Sequence, residues 1–271
     1  MSNYAYRLLK KISFSERRIM DVLPRLHIRS FDAGDVIWGK GLPVQSWFCV
    51  MSGYVAASVP LEKGGQMPVS VLGQHAWFGE QALLSQQPSP MDYSCLTSVE
   101  VIGMDKKLLE AAFAQEPDFV RFLVGLVTWR VQQQSEMLML MRLGSSSLRV
   151  VMGLAQLAEA ICRDLDLPAH ASQRVEIPIS QELIASLCGV SRTLFSEYLQ
   201  HLVRAGWVKV RYGAIEMNSP EVWQMFAQSQ RIRQRVANRP TIEDLLAEMD
   251  TAAAQVASLA SMPQRNLVMS D

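Results

Sequence analysis

Four cysteines and four histidines are spread through 271 residues, too few and too scattered for a metal centre. Cys49, Cys95, Cys162 and Cys188 lie far apart, with no CxxC pair and no His/Cys spacing suited to zinc, which sets a reduced, cytoplasmic setting as the expectation. His75 is the only histidine between His27 and His170, so a barrel enzyme built on clustered metal ligands is excluded and no catalytic set emerges. An excess of either charge is also lacking: 26 Lys and Arg balance 26 Asp and Glu. A lone DNA-binding domain would be basic, so either there is no nucleic-acid partner or its basic face is diluted by other segments. No stretch offers about 20 uninterrupted apolar residues for a membrane span. The opening "MSNYAYRLLKKISFSERR" carries Lys10, Lys11, Arg17 and Arg18 without a following apolar run, so no secretory signal is expected.

What is present is organised. With 49% hydrophobic residues the chain is long enough for two domains and is not wholly disordered. From Ser30 to about Met104, short β-rich runs such as "SWFCVMSGYVAASVP" alternate with Gly34, Gly41, Gly53, Gly64, Gly65 and Gly73, the texture of an antiparallel sandwich or barrel. Beyond Pro117 comes one long helical stretch, "DFVRFLVGLVTWRVQQQSEMLMLMRL". In it Phe119, Leu123, Leu126, Arg130, Gln133, Met137 and Leu140 follow alternating four-three spacing. Two readings stay open. The helix packs on its own β domain, or it is a parallel dimerisation helix in which buried Arg130 and Gln133 set register or touch a ligand. Gly144 and Ser145 to Ser147 then look like a hinge feeding a helix from Leu148 to about Arg163. From about Gln228 the chain is poor in aromatics and rich in Ala, Gln and charge. It reads as a largely flexible tail with at most one marginal helix.

Between hinge and tail lies "ISQELIASLCGVSRTLFSEYLQHLV". Ser180 is placed as an N-cap, Gly189 stands where the chain turns through positive φ, and Ser191 caps a second helix. On that helix Arg192, Thr193, Ser196, Glu197 and Gln200 form a polar face, while Leu194, Phe195, Tyr198, Leu199 and Leu202 form the opposite one. "GWVKVRYGAIEM" adds two short strands around Tyr212 and Gly213. Capped helix, glycine turn, capped helix and wing together make a winged helix-turn-helix, whose second helix enters the DNA major groove with its N-terminal residues leading. Arg192 has the donor fork to read guanine or to clamp a phosphate; Thr193, Ser196 and Gln200 can add smaller contacts. Glu197 can only accept, which suits the cytosine N4 amine. It could instead turn away and pair with His201 or orient Arg192.

The order of β domain, long helix and winged helix resembles the Crp/Fnr superfamily of bacterial transcription regulators over roughly residues 15 to 227. "GDVIWGKG" is similar to the early barrel turn, "WFGEQALL" to the short ligand-cassette helix and "RVQQQSEMLMLM" to the dimerisation helix. The resemblance implies an N-terminal cyclic-nucleotide-binding-like jelly-roll barrel, an α+β architecture, a homodimer, double-stranded DNA as partner and, for an activator, RNA polymerase. It also implies effector contacts at Phe78, Gly79, Glu80, Gln134 and Ser135. One departure matters. The arginine that pairs with the cyclic phosphate would fall at Ser89 or Pro90, and no arginine occurs between Arg29 and Arg121. A buried phosphate without a cation is expensive, so cyclic AMP in the usual manner is not expected. No cysteine precedes Cys49 to build an N-terminal iron-sulfur site, and a haem on His75 or Cys49 is the weaker reading, because a lone histidine beside aromatics more often serves the fold. The cofactor stays unassigned.

The reading is therefore a sequence-specific DNA-binding regulator controlled through its barrel, divided as 1–116 barrel, 117–144 dimerisation helix and hinge, 145–227 winged helix-turn-helix and 228–271 tail. The competing reading is a signalling or regulatory-subunit module whose C-terminal helices bind protein.

Overall fold

The computed structural model describes residues 2–62, 64–165, 174–233 and 239–261. Eight strands build the N-terminal half: β1 (His27–Phe31), β2 (Val36–Trp38), β3 (Ser46–Ser52), β4 (Val55–Pro60), β5 (Gln66–Leu72), β6 (Trp77–Phe78), β7 (Asp92–Cys95) and β8 (Val99–Asp105). They form two antiparallel four-stranded sheets, β1-β8-β3-β6 and β2-β7-β4-β5, the face-to-face pairing of a jelly roll. Between them Phe48, Val50, Val55, Ala57, Phe78, Tyr93, Val99 and Val101 are buried together. β3 is buried at five successive residues because sheet and helices cover both its faces, which explains its unbroken apolar run.

Helices close the outside. α1 (Ser2–Lys11) and α2 (Glu16–Val22) precede the barrel, α3 (Glu80–Ser85) interrupts it, and α4 (Lys106–Gln115) follows. The first two were not legible as helices, although Leu8, Leu9, Ile12, Ile19 and Val22 lie in one cluster with Trp47, Trp77 and Leu109. In that cluster the rings of Trp47 and Trp77 stack with centroids 4.0 Å apart.

α5 (Pro117–Leu143) runs 27 residues and packs one of its stripes against the rest of the chain. The stripe Phe119, Leu123, Leu126, Arg130, Gln133, Met137, Leu140 faces the protein's own interior: Phe119, Leu123 and Leu140 are buried and the other four are partly covered. Arg130 bonds to Glu80 and Gln133 reaches Glu159, so both are engaged within the protomer. A second stripe, shifted round the helix, is solvent-exposed and keeps the same four-three spacing: Val124, Thr128, Val131, Ser135, Leu138.

The C-terminal half is built on α6 (Ser146–Leu165), α7 (Gln181–Leu187), α8 (Arg192–Arg204) and α9 (Pro220–Arg233), with a sheet of β9 (Val175–Ile177), β10 (Val208–Arg211) and β11 (Ala214–Met217) in the order β10-β11-β9. β9, a third strand beyond the two expected, continues the wing onto the body. The segment "DLDLPAHASQR" (164–174), which reads as a loop in the sequence, lies mostly outside the described residues.

The expectation of a largely flexible tail fails over 242–261. There α10 (Ile242–Ser261) buries Ile242, Leu245, Met249 and Ala252 in the same core as α6, Phe195, Trp223 and Phe226. Those four recur at three, four and three residues, one stripe of a 3.6-residue helix, so a low-aromatic segment gains its core by docking on another domain. Its start is a reciprocal cap: the Asp244 amide donates to Thr241 Oγ1 at 3.2 Å and the Thr241 amide donates to Asp244 Oδ2 at 2.9 Å. Thr241→Ala is expected to cost about 1 kcal/mol in chemical denaturation. Among the described residues no helix is long and apolar enough to cross a membrane.

Candidate nucleic-acid interface

Local chemistry fixes the bihelical unit. Ser180 Oγ accepts from the Leu183 amide and Ser191 Oγ from the Leu194 amide, each at 3.2 Å, satisfying an otherwise orphaned donor at the start of each helix. Gly189 turns with φ +62°. A Cβ there would stand 2.3 Å from Met141 Sδ, a flexible side-chain end that could move aside, so it is the positive φ that favours glycine. Phe195, Leu199 and Leu202 anchor α8 in the core. Arg192, Thr193, Glu197 and Gln200 are exposed and Ser196 is half-buried, so the five sequence-derived residues share one outward face. His201 faces Glu243 of α10, Nδ1 to Oε1 at 3.6 Å. Among the described residues Glu197 makes no ion pair or hydrogen bond, so its pairing with His201 is not observed.

The wing lies beside this face. Asn218 Nδ2 donates to Gly206 O at 2.6 Å and ties the wing's two ends. At the tip Gly213 has φ +68° and Tyr212 is fully solvent-exposed. Arg211 bonds Glu216 at 2.6 and 2.8 Å, and that bond holds the Glu216 carboxyl below the usual glutamate value. Arg211 and Arg192 line one groove of about 260 Å³ together with Ser180, Gln181 and Glu182. A second hollow, about 350 Å³, runs along Gln181, Ser196, Gln200 and Arg204. Arg211 was missed at the sequence level. Its position at the wing turn was the available signal.

The barrel site has a different character. Phe78, Gly79 and Glu80 are brought together, but they face inward. Gly79 caps α3 with φ +101°, and a Cβ on it would stand 3.0 Å from the Trp38 ring. Trp38 lies flat on Phe48 with centroids 4.9 Å apart, and it meets Phe78 and Tyr93 edge-on at 5.2 and 5.6 Å. Glu80 is 3% exposed. Trp47 Nε1 donates to its Oε2 at 3.2 Å, and the Arg130 guanidinium bonds its Oε1 and the Trp77 carbonyl. At the position of the missing arginine, Ser89 is buried, donates its hydroxyl to Met91 O at 2.6 Å and is tied by its backbone to Leu42 and Gly41. Gln134 and Ser135 are exposed on α5 and, within the protomer, make no side-chain hydrogen bond among the described residues. The structure thus does not join them to Glu80. These groups do not fit a cyclic phosphate in the usual manner: among the described residues the Arg130 guanidinium is engaged by Glu80, that of Arg29 lies over the Phe48 ring at 5.9 Å, and the turn at Ser89 carries no basic residue.

The cyclic nucleotide-binding domain model matches residues 28–116 and the Crp-like helix-turn-helix domain model matches residues 148–222. The chain is 24% identical over 206 residues to the global nitrogen regulator of Synechocystis, covering 75% of this chain and 90% of that protein. It is 22% identical over 191 residues to the CRP-like cAMP-activated global transcriptional regulator of Mycobacterium tuberculosis, covering 70% of this chain and 84% of that one. Among solved structures, FixK2 of Bradyrhizobium japonicum superposes with a TM-score of 0.61 at 18% identity, over 80% of this chain and 98% of the other. With the jelly roll, the capped bihelical unit and its wing in this order along the chain, the protein belongs to the Crp/Fnr superfamily of DNA-binding transcription regulators.

Proposed function

We propose that the protein acts as a cytoplasmic homodimer that reads DNA through Arg192, Thr193, Ser196, Glu197 and Gln200, and that its barrel does not use cyclic AMP in the manner usual for cyclic-nucleotide-binding members. The division 1–116, 117–144 and 145–227 follows from the same reading, with the C-terminal segment through α10 joined to the last unit rather than left as a tail. The carrying observation is the outward polar face of α8, unobstructed by the barrel and flanked by Arg211 on the wing. A second copy covers the exposed stripe Val124, Val131, Leu138, since a row of large apolar side chains at seven-residue spacing is stabilised by burial against its like. Such a dimer presents two recognition helices to two half-sites. No enzymatic step enters this reading.

Selection of bound sequences from a random duplex pool tests it. Arg192→Ala is expected to weaken binding by about 1–3 kcal/mol and to relax preference at one base. Glu197→Arg is expected to change the enriched base at a different position of each half-site, because a carboxylate acceptor is replaced by a donor fork. An identical motif from wild type and Glu197→Arg would remove Glu197 from the reading face. For the barrel, isothermal calorimetry with cyclic AMP is expected to give no saturable heat. Micromolar binding would require Arg130 to leave Glu80.

A further inference from the structure

We infer that α9 and α10 form a brace that fixes the DNA-binding unit against α5, with Arg231 as its positioning residue. The inference rests on the DNA-binding reading above. Two contacts lie at the junction between the halves, and a third approach relates α10 to the recognition helix. Arg231, near the end of α9, bonds Glu136 of α5 through Nε at 2.9 Å and Glu159 of α6 through its two terminal nitrogens at 3.2 and 2.6 Å. One planar guanidinium therefore bridges a carboxylate on each side of the hinge, a geometry that a lysine point charge cannot reproduce. Burial works against the Arg231 charge, but the Glu159 and Glu136 carboxylates outweigh it and raise its pKa. The second contact is at the hinge itself. Ser145 and Ser147 both donate to the Pro240 carbonyl, at 3.0 and 2.6 Å, so the residues leading into α10 hold the segment that would have to rotate. The third is His201 against Glu243, which links α10 to the last turn of α8.

The helix-turn-helix family match ends at residue 222, whereas Arg231, Pro240 and Glu243 all lie beyond it. The barrel is filled by its own aromatic residues, and the brace supplies a fixed relation between hinge and recognition helix from within the chain. In a dimer this relation sets the distance between the two recognition helices, and hence the separation of half-sites that binds best. Removing Arg231 also leaves Glu136 and Glu159 as neighbouring like charges, which pushes the junction apart.

The experiment uses the full-length protein and duplexes carrying two copies of the half-site selected by wild type, at separations stepped by single base pairs. Wild type is expected to show one sharp optimum. Arg231→Gln is expected to broaden it and to lower affinity at the optimum by about tenfold, with base preference within each half-site unchanged and partial recovery in Arg231→Lys. Glu136→Gln takes the charge out of the tie between Arg231 and α5, leaves an amide oxygen that still accepts from Gln156 and Gln132, and spares the Arg231–Glu159 pair inside the DNA-binding unit. It should broaden the optimum too, and it decides the matter if Arg231→Gln fails to fold. Hydrogen exchange supplies a readout independent of DNA: amides of residues 144–150 should exchange faster in both variants, while those of Phe195 to Leu202 keep their protection. A sharp optimum with unchanged hinge protection in Glu136→Gln would overturn the brace. Absence of DNA binding by wild type would instead overturn the DNA-binding reading, and hinge exchange would still decide whether the brace exists.

Discussion

Aspartate at both Val131 and Leu138 gives monomers in sedimentation and removes tight binding to paired half-sites. Both side chains are 56% exposed on the single protomer, and Val124, one heptad earlier, is 57% exposed. The substitutions therefore leave the protomer's own core untouched. In a dimer they place four carboxylates in an apolar seam, each costing several kcal/mol to desolvate without a cation. Once the subunits separate, the second half-site is no longer held at high effective concentration, and affinity for the paired site falls by roughly 10²–10⁴-fold. Circular dichroism of the monomeric variant should be native. The control is aspartate at Leu126 and Met137 on the inward stripe, which should instead lower stability of the protomer itself. An unchanged dimer in Val131→Asp/Leu138→Asp would show that α5 is not the interface.

Arg130→Ala lowers stability by about 3–5 kcal/mol in denaturant titration, the loss expected when one member of a buried ion pair is removed and its partner stays buried. Glu80, the first residue of α3, retains only the Trp47 indole among the bonds described, at 3.2 Å, and its side chain is buried. Replacing both partners, as Glu80→Gln with Arg130→Met, recovers most of the loss, because no net charge is then left without a counter-ion. A loss below about 1 kcal/mol for Arg130→Ala would mean that the carboxylate finds water or a second cation.

The legible parts of the molecule were those set by short-range chemistry. Ser180, Gly189 and Ser191 could be placed because caps and positive-φ turns depend on a few neighbouring residues, and the recognition face followed from helical period alone. The jelly roll was legible as a class from its glycine-punctuated strands, yet the filling of its interior was not. That Trp38 would lie over Gly79 and on Phe48 depends on β2 meeting β3 across two sheets. α5 carried two stripes of identical four-three spacing, and the one richer in large apolar residues belongs to the protomer's own core. Periodicity cannot say which stripe folds inward, whereas the loss of exposure at Phe119 and Leu140 can. α10 was passed over because its composition resembles that of disordered tails, although Ile242, Leu245, Met249 and Ala252 already spelled a helical stripe. Such a stripe has no meaning until the surface that receives it is known, and that surface is made by α6, α8 and α9.

The stacked indoles of Trp47 and Trp77, 4.0 Å apart and inclined by 25°, give the barrel an optical signature of its own. Two like chromophores this close share their excited states, so their strong ultraviolet bands split into a circular dichroism couplet of opposite signs. Every other tryptophan of the described residues lies outside that pair, and Trp207 and Trp223 sit in the DNA-binding half. The couplet therefore follows loosening of the barrel while DNA binding is followed separately. Because the Trp47 indole also holds Glu80, a perturbation at that carboxylate is written directly into the spectrum.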